Sequence, residues 1–113
     1  VYPQFRSALI TLSKAEQSRF QYVKGDPEGF VNIPLQMKGI CFSVFLREDS
    51  DKNMIKVSLR SVGNFPCNKV AAEFFNGGGH LNASGGDFYG TMEKAVELFK
   101  RALVKYEDLL LKN

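Results

Sequence analysis

Residues 76–86 hold half of the ten glycines of this chain, together with its single histidine. Glycine loses more conformational freedom on folding than any other residue, so a cluster between patterned segments needs a cause. Successive N–H groups without Cβ atoms can form a concavity that binds anions, and an imidazole adds another donor. We therefore predict a site for a phosphate or carboxylate here. The alternative is a flexible glycine-rich loop.

The length and composition predict one globular domain. The chain has 113 residues, 44% of them hydrophobic, with ten Phe and four Tyr. Its net charge of +3 permits a polyanion as partner without requiring one. Cys41 and Cys67 form no CxxC pair, which excludes a recognisable zinc site and indicates a reduced, cytoplasmic chain. We find no signal peptide and no apolar run of transmembrane length, and we expect no membrane contact. Because the chain starts at Val1, we expect a piece of a longer protein.

The apolar pattern predicts an α/β (α+β) fold, a two-layer domain with a small mixed β-sheet and flanking helices. Residues 28–37, which contain Pro34, are left open between a turn of helix and an irregular crossover. Ser13 and Glu16 form a predicted capping box, and Thr91 a predicted N-cap. The predicted elements are a strand at 5–12, a helix at 14–22, a β-hairpin of 39–47 and 54–62, a helix from 66 or 68 to 76, a strand at 87–89 and a helix at 92–111.

Familiar glycine motifs do not fit residues 76–86. A phosphate-binding P-loop needs a lysine after its last glycine, and the dinucleotide fingerprint fails at its third glycine position, which is Asn82. A Ser–His–Asp triad would have to combine Ser84 or Ser61 with His80 and Asp87, but no nucleophile elbow is present. These three classes of site are therefore disfavoured.

Arg60 and Ser61 end the second predicted hairpin strand. A guanidinium group can bind phosphate through two parallel hydrogen bonds, and a serine hydroxyl adds a donor. Because ligand crevices tend to open at strand ends, this pair is a candidate partner of the glycine segment. Arg60 is equally well explained as an ordinary solvated residue.

The order of Arg60-Ser61, a helix, and a GGGH segment followed by Ala83-Ser84-Gly85 resembles the C-terminal DHH-associated domain of DHH-superfamily phosphoesterases. The resemblance covers nearly the whole chain. It is strongest to the bifunctional oligoribonuclease and 3′-phosphoadenosine 5′-phosphate phosphatase group, formerly grouped with exopolyphosphatase-related proteins. It implies a domain that binds nucleotide or nucleic-acid phosphate. The residues implied as contacts are Arg60, Ser61, Gly77, Gly78, Gly79, His80, Ala83, Ser84 and Gly85.

The resemblance also implies a partner domain. In the family, a DHH domain holds two manganese ions through Asp and His ligands, and this chain has one histidine and no Asp-His-His sequence. We therefore expect no catalytic residue, metal or cofactor in the chain itself. Manganese is expected in a DHH domain upstream in the same chain. The expected partners are that domain and a nucleotide or short single-stranded nucleic acid, and a homodimer is possible.

Two other functions remain open from the sequence. One is a nucleic-acid-binding module of the kind associated with alanyl-tRNA synthetases, without phosphoesterase activity. The other is a structural domain that dimerises through the last predicted helix, 92–111. Phe65, Phe88 or Tyr89 is a candidate for stacking on a base, although a position in the core explains each of them better.

Overall fold

A five-stranded mixed sheet organises the fold. The computed structural model describes residues 1–16, 27–49 and 53–113. The strands lie in the order β1-β2-β3-β5-β4. They are β1 (Ser7–Leu12), β2 (Phe42–Glu48), β3 (Ile55–Ser61), β4 (Gly78–His80) and β5 (Ala83–Phe88). The helices within the described residues are two 3₁₀ helices (Pro3–Phe5 and Pro27–Gln36), α1 (Cys67–Phe74), α2 (Met92–Lys105) and α3 (Glu107–Lys112). This arrangement confirms the predicted α/β class with a mixed sheet.

The sheet is mixed because β1 and β2 run parallel, whereas the other neighbouring strands run antiparallel. The predicted hairpin is confirmed as the β2–β3 pair, in which Phe42 lies opposite Ser61 and Glu48 opposite Ile55. Side chains of alternating residues project from opposite faces of a strand. The alternation of apolar and polar residues in β3 therefore decides which face is buried.

The hydrophobic core lies between one face of the sheet and the α-helices. From the strands it takes Phe42, Val44, Val57 and Leu59, all of them buried. The helices add further buried side chains: Val70, Ala71, Ala95, Phe99, Ala102, Leu103 and Leu110. A second, smaller cluster of Leu12 and Phe45 belongs to β1 and β2. None of the helices among the described residues is long and apolar enough to span a bilayer.

The predicted capping box is present at Ser13 and Glu16. The amide of Glu16 donates to Ser13 Oγ at 3.2 Å, and the amide of Ser13 donates to Glu16 Oε1 at 2.9 Å. Both bonds satisfy donors that the first turn of a helix leaves unpaired. Residues 14–16 are helical, and residues 17–22 of the predicted helix lie outside the described residues. Residues 28–37, for which the sequence allows either a turn of helix or an irregular crossover, lie almost entirely within the 3₁₀ helix Pro27–Gln36.

The last predicted helix is not continuous, which corrects the prediction. It stops at Lys105 and starts again at Glu107. Between them Tyr106, with φ −101° and ψ 14°, turns its hydroxyl to donate to Glu73 Oε1 at 2.8 Å. The Arg6 guanidinium donates to the carbonyls of Leu110 and Asn113 and so holds the end of α3. These contacts come from distant parts of the chain, and helical periodicity cannot reveal them.

The glycine-rich segment is a hairpin rather than a loop, which is a second correction. β4 and β5 pair antiparallel through a turn of Leu81 and Asn82, and β5 begins at Ala83, four residues before the predicted strand at 87–89. Glycine has low strand propensity, so the sequence pattern concealed both strands. Here the missing side chains allow two backbones to approach closely.

Candidate phosphate-binding site

Arg60 lies on the opposite face of β3 from the core. Ile55, Val57 and Leu59 are buried against the helices, and Arg60, one residue further on, points the other way and is half-buried. Its register partner on β5 is Ala83, and the partner of Ala83 on β4 is His80. Residues opposite one another in a sheet project from the same face, so Arg60, Ala83 and His80 form one row.

The next row on this face has almost no side chains at its β4 end. Ser58 of β3 pairs with Gly85 of β5, which pairs with Gly78 of β4. Together Gly78, Ala83 and Gly85 form a strip without bulky groups, which we call the glycine shelf. Gly78 and Ala83 are exposed, and a Cβ built on Gly78 would meet no atom within 4 Å. The shelf is therefore open to a ligand.

Within their own row, Arg60 and His80 flank Ala83 of the shelf from either side. Neighbouring strands are spaced by about 4.8 Å, so two strand spacings place their Cα atoms about 10 Å apart. Arg60 Nη1 donates to the carbonyls of Leu59 at 2.8 Å and Ser84 at 3.2 Å. Among the described residues, no carboxylate pairs with this guanidinium. His80 is exposed, and its ring has no hydrogen-bond partner in the described part of the chain. Both groups can donate to an anion on the shelf.

Two other glycines of the segment are required by packing. A Cβ on Gly77 would lie 1.9 Å from the carbonyl oxygen of Gly85. Gly79 has φ +145°, and its Cβ would come within 2.8 Å of Ala83 O and Ser84 Cα. Gly77 and Gly79 therefore allow β4 to approach β5, whatever the hairpin binds.

The two serines of the predicted site direct their hydroxyls into the protein. Ser61 is buried. Its Oγ donates to the carbonyl of Phe65 at 2.8 Å and lies 3.2 Å from the carbonyl oxygen of Leu81. Ser84 is also buried, and its Oγ donates to the carbonyl of His80 at 2.7 Å. A direct contact of either hydroxyl with phosphate stays a prediction, which this geometry does not favour.

Cys67 lies beneath the site and is fully buried. Its Sγ is 3.7 Å from the carbonyl oxygen of Leu59 and 3.9 Å from that of His80. Burial raises the pKa of the Cys67 thiol, although hydrogen bonds with Ser84 and Ser61 oppose the shift. A buried thiol with a raised pKa is a poor nucleophile. Cys67 therefore supports the hairpin and does not take part in chemistry at the shelf.

The described residues do not fit a two-metal centre. No three His, Cys, Asp or Glu side chains come together among residues 1–16, 27–49 and 53–113. His80 is the sole histidine of the whole chain, and two-metal sites need several oxygen and nitrogen ligands around each ion. We therefore derive no reaction step through a metal at this shelf.

Comparison with known proteins identifies the family. The model of the DHHA1 domain matches residues 13–106 of this chain. The chain belongs to the DHHA1 domain family. The resemblance drawn from Arg60-Ser61 and the GGGH segment is thereby confirmed at the level of the family.

Individual relatives agree with this assignment. The DHHA1 domain is 32% identical over 92 residues to a 3′,5′-cyclic-nucleotide phosphodiesterase of Helicobacter pylori (strain ATCC 700392 / 26695), covering 75% of this chain and 26% of that protein. An exopolyphosphatase-related protein from Bacteroides fragilis superposes with a TM-score of 0.90 and 68% identity, covering 97% of this chain and 32% of that one. An uncharacterized protein from Helicobacter pylori G27 gives a TM-score of 0.50 and 25% identity, covering 93% and 26%. The chain thus spans about a third or less of the length of each relative.

The proposed stacking aromatics do not lie at the shelf. Phe65 is buried in the core, where it packs against Phe42 with ring centroids 4.8 Å apart. Phe88 is half-buried against the same core. Tyr89 is 69% exposed but follows the far end of β5, six residues and about 20 Å from Ala83. The structure therefore favours the core explanation for Phe65 and Phe88 and places Tyr89 away from the site.

Asn82 is the residue at this site that sequence reasoning missed. Its side-chain amide donates to Ser61 Oγ at 2.9 Å and to the carbonyl of Gly63 at 3.2 Å. The sequence marks Asn82 only as the residue that breaks a dinucleotide motif. The available signal was an asparagine in a two-residue turn, a residue type that often hydrogen-bonds nearby backbone. The partners, however, lie some twenty residues earlier in the chain.

Proposed function

We propose that this DHHA1 domain is the substrate-binding domain of a phosphoesterase that hydrolyses short oligonucleotides or nucleoside bisphosphates. The observation that carries the proposal is the row formed by Arg60, Ala83 and His80 on the face of the sheet opposite the α-helices. A cation and an imidazole flank a surface without bulky side chains, which suits a phosphate group. The name of the Helicobacter relative, a cyclic-nucleotide phosphodiesterase, supports a phosphoester substrate.

Arg60, His80 and the glycine shelf each contribute differently to binding the phosphate. Arg60 supplies a fixed positive charge, because its Nη1 is anchored to two carbonyl groups while the rest of the guanidinium can donate to phosphate oxygens. His80 donates from the other side. The bare backbone at Gly78 lets the phosphate come close, since no Cβ stands in the way. Groups fixed before the substrate arrives stabilise charge without reorganising during the reaction.

We further propose that the chemistry is carried out by a DHH domain upstream in the same chain, with manganese as its metal. This rests on family membership and on the relatives, whose chains are at least three times as long as the matched part. The domain described here would hold the substrate against that partner. Its free, buried cysteines Cys41 and Cys67 fit a cytoplasmic location.

The test is turnover by the full-length protein that carries this chain, with short oligoribonucleotides, a nucleoside 3′,5′-bisphosphate and a cyclic nucleotide as alternative substrates. Arg60→Ala and His80→Ala should each lower kcat/KM by at least about tenfold, as expected when a charged hydrogen bond to the substrate is lost. Arg60→Lys should retain part of the activity because it keeps the charge. The matched control is Lys56→Ala, which removes an exposed cation from the same face of β3, about 13 Å from Arg60.

Each outcome of this experiment separates the hypotheses. Unchanged kcat/KM in both Arg60→Ala and His80→Ala would show that the shelf does not bind substrate. Equal losses in Lys56→Ala and Arg60→Ala would indicate a general electrostatic effect and not a specific site. Binding of oligonucleotides without hydrolysis of any substrate would favour the nucleic-acid-binding module. A homodimer that neither binds nor hydrolyses them would favour the structural domain.

A further inference from the structure

The side chain of Asn82 links the β4–β5 turn to the end of β3. Besides its two side-chain bonds, to Ser61 Oγ at 2.9 Å and Gly63 O at 3.2 Å, its carbonyl accepts from the amide of Ser61 at 3.1 Å. We call this set of three hydrogen bonds the Asn82 clasp. Asn82 stands two residues after His80, and Ser61 stands one residue after Arg60. The clasp therefore joins the chain segments that carry His80 and Arg60.

The hairpin needs this attachment because β4 is short. In the described part of the chain it has three residues, all exposed, and it pairs with β5 alone. Such a short strand at the edge of a sheet is weakly held by its own backbone hydrogen bonds. A second backbone bond, from the Cys67 amide to the carbonyl of Leu81 at 3.0 Å, ties the same turn to the start of α1. The position of His80 thus depends on how the turn is held.

The far side of the clasp is itself immobilised. Ser61 Oγ donates to the carbonyl of Phe65, so the hydroxyl that accepts from Asn82 is fixed within the core. The loop that contains Gly63 is held by Asn113, whose Oδ1 accepts from the Asn64 amide at 2.7 Å and whose Nδ2 donates to Val62 O at 2.8 Å. Asn82 therefore anchors the turn to a rigid part of the domain.

We propose that Asn82 is a positioning residue of the phosphate site, which sets His80 at the correct distance from Arg60. The proposal rests on the function proposed above. The amide side chain itself faces Ser61 and Gly63 and acts on the substrate through His80. Its loss leaves both binding groups present but misaligned, so the phosphate is held in the wrong position, and a misplacement of about 1 Å can lower the rate by up to about a hundredfold.

The test compares Asn82→Ala and Asn82→Asp with the wild type in the full-length protein, using a short oligoribonucleotide as substrate. Asn82→Asp keeps the size of the side chain but removes both donors, so both variants should lose kcat by about tenfold to a hundredfold, with KM changed far less. The control is Asn64→Ala, which removes an exposed asparagine side chain from the neighbouring loop and leaves its bonded backbone amide intact. This variant should keep wild-type kcat.

Two further measurements separate positioning from a loss of folding. Combining Asn82→Ala with Ser61→Ala should lower kcat by much less than the product of the two single effects, because both changes break the same bond. Amide hydrogen exchange in the full-length protein should speed up at Ser61 and Cys67 in Asn82→Ala, while the amides of Leu59 and Val44 in the sheet stay protected.

Wild-type kcat in Asn82→Asp would overturn the proposal, as would fully multiplicative losses in the double variant. If these results appear while His80→Ala remains impaired, the phosphate site stands and only the role of Asn82 fails. If His80→Ala and Arg60→Ala keep wild-type turnover, the proposed function fails and the role of Asn82 fails with it. If amides throughout the sheet lost their protection from hydrogen exchange in the Asn82→Ala variant, Asn82 would have only a structural role.

Discussion

Two adjacent glycines, Gly77 and Gly78, should respond in opposite directions to the same added methyl group. In Gly77→Ala the new Cβ would lie 1.9 Å from Gly85 O and 2.6 Å from Gly86 Cα. These are backbone atoms, which cannot rotate away as a side chain can. In Gly78→Ala the new Cβ would meet nothing within 4 Å. The opposite effects of the two substitutions on stability therefore follow from the close approach of the backbone at Gly77 to β5.

The expected magnitudes follow from the size of each effect. Overpacking costs about 1–3 kcal/mol, and a clash with backbone lies at the upper end. An unfolding entropy of about 2.1 cal/mol/K per residue gives about 0.24 kcal/mol/K for the 113-residue chain, so a loss of about 3 kcal/mol lowers Tm by about 12 °C. Replacing a glycine by alanine without strain stabilises by about 0.4–1 kcal/mol, which raises Tm for Gly78→Ala by about 2–4 °C.

The assay is thermal unfolding of the three proteins, followed by circular dichroism or calorimetry at one pH and one concentration. A Tm for Gly77→Ala within about 3 °C of the wild type would refute the close approach of the strands. A fall for Gly78→Ala as large as that for Gly77→Ala would refute the openness of the shelf. In either case the hairpin would not have the geometry from which the phosphate site is argued.

Two more predictions concern buried and partly buried side chains. Cys41 and Cys67 are both buried, and burial raises the pKa of each thiol, so neither should react with Ellman's reagent until the chain unfolds, when two thiols should appear; reaction in the native state would contradict this burial. Burial makes the largest contribution, and the hydrogen bond to Glu73 the next largest, to raising the pKa of Tyr106 from 10.0 to about 12. Its contribution to stability is therefore present below pH 10 and lost towards pH 12, so urea unfolding should show the wild type losing stability relative to Tyr106→Phe across that range. A constant difference would contradict the shift.

Those parts of the fold that are encoded locally could be predicted from the sequence. The alternation of β3 marks its buried face, and Ser13 and Glu16 mark a helix start through bonds between residues three apart. The break at Tyr106 could not be predicted, because the apolar period continues to Leu110 and the cause is distant. Tyr106 is held by Glu73, and the end of α3 by Arg6. Tertiary contacts override periodicity there.

The candidate site could be predicted only in part from the sequence, because it too depends on contacts between residues that are distant in the chain. The sequence pairs Arg60 with the GGGH segment through their spacing and family resemblance, but it does not show that Arg60 and His80 share a face. That depends on the register of β3, β5 and β4, and a shift by one residue would put His80 on the core face. The inward direction of Ser61 and Ser84 also depends on this register. Asn82 was missed because its partners are set by the same pairing.

The structure changes the functional interpretation of the glycine cluster. A glycine cluster first suggests flexibility or a general anion site, yet Gly77, Gly79 and Gly86 are each explained by contact between backbones. Their presence would be required even if the hairpin bound nothing. Gly78 is different, since its φ is not in the region that favours glycine and a Cβ there meets no atom. The fold does not need a glycine at Gly78, which lies in the row next to that of Arg60 and His80, so the residue is best explained by the space that it leaves for a ligand. Gly78 is thus the one glycine of β4 that supports the phosphate site beside the row of Arg60, Ala83 and His80, and Gly78→Ala tests the openness of the shelf while leaving the fold intact.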